Sequence, residues 1–395
     1  MSDDRALVWE RTDSSPGTHV LIVGIGAYDY LLDGALAAPD IAAGMRQIPA
    51  ATRSARELAN FFLDDFHNPE RPLSSLAMVL SEPAPAMYSH PNANVKGPLP
   101  NGDIATVEDA IHRWVERGTG SAGNLLVLYF VGHGLSAGTP LLLCRDYGKS
   151  AYNRFDGALN LTSLLLGLGT RQSGDQLVMI DACRTDDRVA RLVEGRAGAL
   201  GRSVLTPLAE SEEGWGKAVQ SVHFATSERT QAWAEPDGET LYSTALLKGL
   251  RGWGAQPRYG YWVGTGGLTE ALDEFVPRLG RLGRVRQQPD WVRAGQFKIC
   301  LPRAPMADAY VTCDPEDVWT NPLRLTADGP NVALHHEHEP STTSLREWAI
   351  GVPAGQYAFG VHFGGTSEYE DLVVDNQLVC PPAYPIRLRP PRRPT

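Results

Sequence analysis

The sequence predicts an α/β protein with helices on both faces of a mostly parallel sheet, followed by a small all-β, sandwich-like domain. Three observations carry this. Short apolar runs alternate with helix-period segments over residues 18–302, the pattern of successive strand–helix units. The runs Leu125 to Val131 and Gln176 to Ile180 are continuous and rich in branched and aromatic residues, as strands buried on both faces are. Beyond Pro302 the helical period stops, and alternating segments punctuated by Pro and Gly take over. The chain's 395 residues are enough for two domains or more.

Residues 1–17 form a lead-in, and His19 to Gly26 is a strand with glycines at its end. Thr52 to Phe66 reads as an amphipathic helix, because Ala55, Leu58, Ala59, Phe62, Leu63 and Phe66 recur at helical spacing. Leu76 to Leu80 is a second strand, and a Pro- and Asn-rich loop runs from Pro83 to Pro100. Asp103 or Thr106 caps the next helix, which places Val107, Ala110, Ile111, Trp114 and Val115 on one face. The strand ending in Gly132-His133-Gly134 follows, then a short strand over Pro140 to Cys144 and a helix over Leu161 to Leu168. The next strand ends in Asp181-Ala182-Cys183-Arg184. Residues 184–221 are rich in Arg, Gly and Glu and read as a mobile loop. Val222 to Thr226 is a strand and Ser243 to Leu250 a helix. The β-domain is expected over 303–385, with a Pro- and Arg-rich tail over 386–395.

The net charge is −10, from 36 Lys and Arg against 46 Asp and Glu, with no basic block, which argues against a nucleic-acid partner. No run approaches the ~18 apolar residues of a membrane helix. The acidic N-terminus has no apolar stretch of signal-peptide length behind it. Five cysteines are an odd, sparse set, and Cys144, Cys183 and Cys300 adjoin apolar runs, which suits reduced thiols and a cytoplasmic location.

His133 and Cys183 each stand at the C-terminal end of a core strand, the edge where open α/β sheets bind ligands. Their spacing is 183 − 133 = 50 residues. A thiolate attacks an amide carbonyl when a base takes its proton and an acid protonates the leaving amine, and one histidine does both. Backbone N–H groups of Gly134 and Cys183 are candidates for an oxyanion hole. Glycines on both sides of His133 let a substrate backbone come close.

These cassettes resemble those of the caspase-fold cysteine peptidases, in which a histidine lies about 50 residues before the cysteine. The resemblance covers about residues 18–300 and implies a three-layer α-β-α fold, with His223 to Leu250 as the strand, substrate-binding loop and helix that follow. Caspases carry Gln two residues before the cysteine and Gly two after it, where this chain has Asp181 and Thr185. The acid is similar to that of metacaspases and paracaspases, where it helps bind a basic residue ahead of the scissile bond. A carboxylate in a pocket floor attracts Arg or Lys, so cleavage is expected after Arg, then Lys, and not after Asp. Asp29, Asp33 and Asp40 are candidates for a second pocket acid, with Asp40 preferred. Trp233 and Ser227, in the loop after the fifth core strand, are candidates for neighbouring subsites. Arg188, Arg191, Arg196 and Arg202 lie where caspases have their inter-subunit linker and are self-cleavage candidates. The resemblance further implies a regulated intracellular effector protease of stress or phage-defence cell death, cutting a partner protein. The β-domain is then the candidate site for a substrate or activator protein. No cofactor is expected, and calcium activation, which occurs in metacaspases, has no calcium loop here to support it.

Rival readings are weaker. Gly134-Leu135-Ser136-Ala137-Gly138 fits a nucleophile elbow, with Asp181 and His223 completing a serine-hydrolase order, but Pro140 and a new strand follow where a helix is required. Gly24-Ile25-Gly26 opens like a dinucleotide fingerprint and then meets Asp29 where a small residue is needed. His335-His336-Glu337-His338 is a poor metal site, because neighbours on a strand point to opposite faces. An inactive scaffold acting through the β-domain is the non-enzyme alternative.

Overall fold

The computed structural model describes residues 4–11, 16–42, 44–95, 97–136, 139–150, 152–171, 174–186, 200–207, 219–227, 232–233, 238–292, 295–330, 332–340, 346–365 and 367–394. The chain separates into two compact units. One is residues 1–247 with 275–300, and the other is 248–274 with 301–395.

The first unit is built on a seven-stranded sheet. Its first strands are β1 (Leu7–Glu10), β2 (Thr18–Ile25), β3 (Leu73–Ser81) and β4 (Leu125–Gly132). After β5 (Gly134–Ser136), β6 (Pro140–Leu143) and β7 (Ala158–Asn160) come β8 (Asp175–Ala182), β9 (Thr185–Asp186) and β10 (Gln220–Phe224). The spatial order is β1, β3, β2, β4, β8, β10 and an edge strand Asp290–Val292. The five inner strands run parallel, and both edges are antiparallel. The sheet is therefore mostly parallel, as expected. The lead-in differs from expectation, since β1 lies within it and pairs with β3. Four residues with one buried valine carry too short a pattern to read as a strand.

Helices α1 (Pro39–Ala42), α2 (Pro49–Asp64), α3 (Ile104–Gly118) and α4 (Leu161–Gly169) cover the sheet or its loops. Pro49 starts α2, where a missing N–H costs nothing. The Asp103 carboxylate caps α3 by accepting from Thr106 N–H at 2.8 Å, and the Asn160 side chain caps α4 through Ser163 N–H at 2.9 Å. The strand period of two divides the faces. Leu21, Val23, Leu126, Leu128, Phe130, Val178 and Ile180 share a core with α3 and α4. Gly24, on the other face, lets Ala55 of α2 sit against the strand: a Cβ on Gly24 would stand 2.7 Å from the Ala55 methyl. The result is three layers, helix on sheet on helix.

The stretch read as one mobile loop is in part ordered. Its residues 185–186 form β9, paired in parallel with β5. Further on, Arg202 donates its N–H to the Ala158 carbonyl at 2.6 Å and accepts from Asn160 N–H at 3.0 Å. Val204 and Leu205 are buried in the α3–α4 core.

In the second unit, Met306–Cys313 is flanked by Trp348–Pro353, antiparallel, and Ala383–Leu388, parallel. A four-stranded antiparallel sheet runs Val332–His338, Leu323–Gly329, Gly355–Phe363, Leu372–Val379. The inner faces share one core, including Val311, Leu325, Phe359 and Leu388, the small all-β sandwich the sequence predicts. Its boundaries differ from 303–385. The last strand runs on to Leu388, and Pro385 is tolerated because that strand is an edge. Residues 248–274 also group with this unit. There the Asp308 carboxylate pairs with Lys248 at 2.6 Å and accepts from the Trp253 indole at 2.7 Å.

Candidate active site

The ladder between β4 and β8 pairs Leu125 with Asp175 and continues to Gly132 with Ala182, a constant offset of 182 − 132 = 50. It resumes between β5 and β9 at Leu135 with Thr185, where 185 − 135 = 50 again. His133 and Cys183 occupy the same level between these pairs, on neighbouring strands about 5 Å apart. The sequence spacing is thus the register of the sheet. Gly134 is needed here: a Cβ on it would lie 3.0 Å from the Ala182 Cβ and would collide with the Cys183 carbonyl.

His133 is half-buried, and packing around its ring lowers its pKa to about 4, against a raising hydrogen bond to Arg46. Nε2 lies 2.6 Å from the Arg46 carbonyl oxygen. A carbonyl only accepts, so Nε2 carries the proton and Nδ1 is left as the basic nitrogen. Cys183 is also half-buried, and burial pushes its thiol pKa up. Its sulfur accepts from Ala232 N–H at 3.2 Å, and this bond, with one from the cysteine's own N–H, opposes the upward shift. At pH 7 the His133 imidazole is therefore neutral and Cys183 is a thiol. Leu143 N–H donates to the His133 carbonyl at 3.0 Å, a bond that flanks Gly134–Leu142 and makes it a non-hydrogen-bonded pair of the β5–β6 ladder. By the antiparallel alternation, Gly134 N–H then points away from β6 and toward the β9 side.

Asp181 is the last residue but one of β8, on the face opposite Ile180 and Ala182, and is 2% exposed. Its Oδ2 accepts from the Tyr129 hydroxyl at 2.9 Å and from the Thr240 hydroxyl. Its buried Oδ1 has no hydrogen-bond partner among the described residues. Burial raises the carboxyl pKa to about 7, opposed by the two hydroxyl bonds. Thr240 also connects to Ser54 of α2, whose hydroxyl accepts from Thr240 N–H at 3.0 Å.

Of the three acids proposed for a second pocket position, Asp29 pairs with Arg145 at 2.9 Å and Asp33 with Arg46 at 2.6 Å, while Asp40 stands exposed on α1. Trp233 is 41% exposed. Its N–H donates to Gln287 Oε1 at 2.9 Å, and Gln287 Nε2 donates to the Ala225 carbonyl at 3.0 Å. Buried Gln287 thus links residues 225 and 233 of the loop after β10. Ser227 belongs to the same loop, its N–H donating to the Gln288 carbonyl at 2.8 Å. Arg202 pairs with Glu108 at 2.9 Å. Arg188, Arg191 and Arg196 lie outside the described residues.

The serine-hydrolase arrangement does not form. Ser136 lies in a strand, Asp181 is committed to Tyr129 and Thr240, and buried His223 lies 3.0 Å from the Ser221 hydroxyl. In the histidine run, His336 stacks on Trp348 and His338 bonds the Trp319 carbonyl. No group of three or more His, Cys, Asp or Glu among the described residues is placed to hold a metal. No helix among them is long and apolar enough to cross a membrane.

A family profile described as the caspase domain matches residues 19–294, and the chain belongs to that family. An uncharacterized protein of Sinorhizobium fredii (strain NBRC 101917 / NGR234), y4kE, is 26% identical over 275 residues, which are 68% of this chain and 70% of that protein. Caspase-1 from Spodoptera frugiperda, known from a crystal structure, is similar at 12% identity and a TM-score of 0.42, over 70% of this chain and 88% of that one. The family is one of cysteine peptidases.

Proposed function

We propose that this chain is a cysteine endopeptidase that cleaves protein substrates after a basic residue, Arg before Lys. The shared register of His133 and Cys183 carries this reading. As the sulfur attacks the scissile carbonyl, its proton passes to Nδ1 of His133, so that no charged pair need exist beforehand. The carbonyl oxygen becomes an oxyanion, held by the N–H groups of Gly134 and Cys183. When the C–N bond breaks, the imidazolium returns the proton to the leaving amine. Water, deprotonated by the same nitrogen, then hydrolyses the thioester.

Basic specificity rests on Asp181. One oxygen is held by Tyr129 and Thr240, and the other has no described partner. A guanidinium beside it would restore the ionised form that burial disfavours. Asp40, Ser227 and Trp233 serve as subsite residues in this reading.

The broader role is a regulated effector protease of the cytoplasm, acting on a partner protein in stress or phage defence. The β-domain would receive a substrate or activator, and no cofactor takes part. Maturation would cut after Arg188, Arg191 or Arg196. Arg202 suits this least, because its N–H and C=O are both committed to β7.

The test is turnover of fluorogenic peptides ending in Arg, Lys, Leu or Asp by wild type, Cys183→Ala and Asp181→Asn. Turnover of the Arg peptide that Cys183→Ala abolishes supports the reading. Selective loss of Arg over uncharged residues in Asp181→Asn supports the pocket. A wild type that turns over none of them favours the scaffold.

A further inference from the structure

His133 has a second set of supports. Where β4 runs past the end of β2, the last pair of that ladder is Gly24 with Val131. The backbone N–H of His133 therefore has no strand partner on that side. The Tyr28 hydroxyl takes its place, accepting from His133 N–H at 2.6 Å. Tyr28 is 0% exposed, so water is not the alternative partner. Its ring centroid lies 4.9 Å from that of His133, tilted by 48°. A Cβ on Gly132 would stand 2.7 Å from the same hydroxyl, which accounts for the first glycine of Gly132-His133-Gly134. The phenol's pKa is pushed well above its ordinary value, by burial first.

Gln47 holds the other side. Its Oε1 accepts from Tyr28 N–H at 2.7 Å, and its Nε2 donates to the Tyr28 carbonyl at 3.1 Å and the Leu32 carbonyl at 2.8 Å. Three of its four hydrogen-bonding positions are used. The Arg46 carbonyl that receives Nε2 belongs to the peptide group joining residue 46 to Gln47, so the amide that grips Tyr28 also sets that carbonyl.

Resting on the peptidase reading above, we propose that Tyr28 and Gln47 are positioning residues for His133: one holds its backbone and ring, the other sets the carbonyl that fixes its tautomer. Neither touches the reacting atoms. Together they turn Nδ1 toward Cys183.

The test uses the full chain as Tyr28→Phe and Gln47→Glu, with Tyr152→Phe, a fully exposed position, as control. Phenylalanine keeps the ring and loses only the hydroxyl, and glutamate keeps the shape and loses the two N–H donors. Three readouts are taken: peptide turnover, the rate of Cys183 alkylation by iodoacetamide, and the His133 tautomer from ¹⁵N shifts. Each variant is expected to lower kcat by about tenfold with KM within about twofold, to slow alkylation in parallel, and to convert His133 from a single Nε2–H form to a mixture. The alkylation and tautomer arms need no substrate. A wild type inactive on peptides but with these two responses intact overturns the peptidase reading and keeps the positioning role. Unchanged alkylation and tautomer in both variants overturn the positioning role. So does a loss of activity that follows a fall in Tm while the tautomer stays single. If Tyr28→Phe does not fold, Gln47→Glu alone decides.

Discussion

Placing a methyl group on Gly134 should separate the candidate nucleophile from its base. In Gly134→Ala the new carbon would start 3.0 Å from the Ala182 Cβ and inside the Cys183 carbonyl oxygen's contact surface. Carbon contacts are comfortable at about 3.5 Å. The strand carrying His133 must therefore move from the one carrying Cys183 by about 0.5 Å or more, and both obstacles are backbone or backbone-fixed. A misplacement of about 1 Å costs about 10²-fold in rate, so kcat/KM should fall about a hundredfold. Overpacking of this kind destabilises by about 1–3 kcal/mol, a Tm loss of about 2–10 °C in a domain of this size. The control is Gly169→Ala at the end of α4, where an added Cβ meets nothing within 4 Å and Tm should hold or rise slightly. Turnover of an Arg-ending peptide, Cys183 alkylation mapped by mass spectrometry, and thermal unfolding are read on the same preparations. A Gly134→Ala protein that loses stability but keeps full kcat/KM would refute the reasoning. The close approach of residues 134 and 183 would then be packing with no bearing on the chemistry.

Three further outcomes follow from the same geometry. Burial raises the folded-state pKa of Asp181 from 3.8 to about 7, so its ionisation costs the folded state stability, a cost absent below about pH 4 and complete above about pH 7. Asp181→Asn should therefore gain Tm relative to wild type as pH rises from 4 to 8, and a pH-independent difference would contradict this. Because the thiol of Cys183 is pushed up and His133 down, alkylation of the resting enzyme should keep rising through pH 9, and a plateau below pH 7 would reveal a preformed ion pair instead. Arg184 is 7% exposed, pairs with Asp290 at 2.8 Å and lies 4.3 Å above the Phe224 ring. Arg184→Met should cost about 2 kcal/mol, below the usual figure for a buried pair because Asp290 is partly solvated. Lysine should recover less than half, lacking the planar group that stacks, and full recovery in chemical denaturation would count against the stacking.

What the sequence made legible depends on where the information lies. The five inner strands of the central sheet were readable because burial on both faces leaves unbroken apolar runs, and α2 and α3 because one face of each is apolar. His133 and Cys183 were readable because the chemistry proposed for them lies in their own side chains. Tyr28 and Gln47 left no such signal. Their partners are the backbone of residue 133 and, for Gln47, the peptide N–H and carbonyl of residue 28, 19 residues away in sequence, and contacts to peptide groups do not constrain residue type at any fixed spacing. The Arg46 carbonyl is invisible to sequence for the same reason. Asp181 was singled out, but Tyr129 and Thr240, 52 and 59 residues from it, were not. Residues 248–274 were read with the preceding helix, since local pattern cannot tell which core a segment joins.

The 50-residue spacing is itself a consequence rather than a cause. Residues 133 and 183 share a level because β4 and β8 are in register, and that register is set by apolar side chains such as Val127, Tyr129, Leu177 and Met179 packing on the sheet. The number 50 also depends on the length of the intervening connection, which the register does not feel. Lengthening that connection should then change the spacing and leave the site intact. Tyr152 lies in it at full exposure, just ahead of Asn153, whose side chain caps the turn at Arg154–Gly157. Inserting two glycines between Tyr152 and Asn153 leaves that cap in place, and a longer loop costs only a few tenths of a kcal/mol in closure entropy. The insertion variant, with its histidine and cysteine 52 residues apart, should keep wild-type Cys183 alkylation and turnover, with Tm within about 2 °C. Loss of both in a protein that still unfolds cooperatively would mean that the connection itself shapes the site. The level shared by the two strand ends would then not be sufficient to bring thiol and imidazole together.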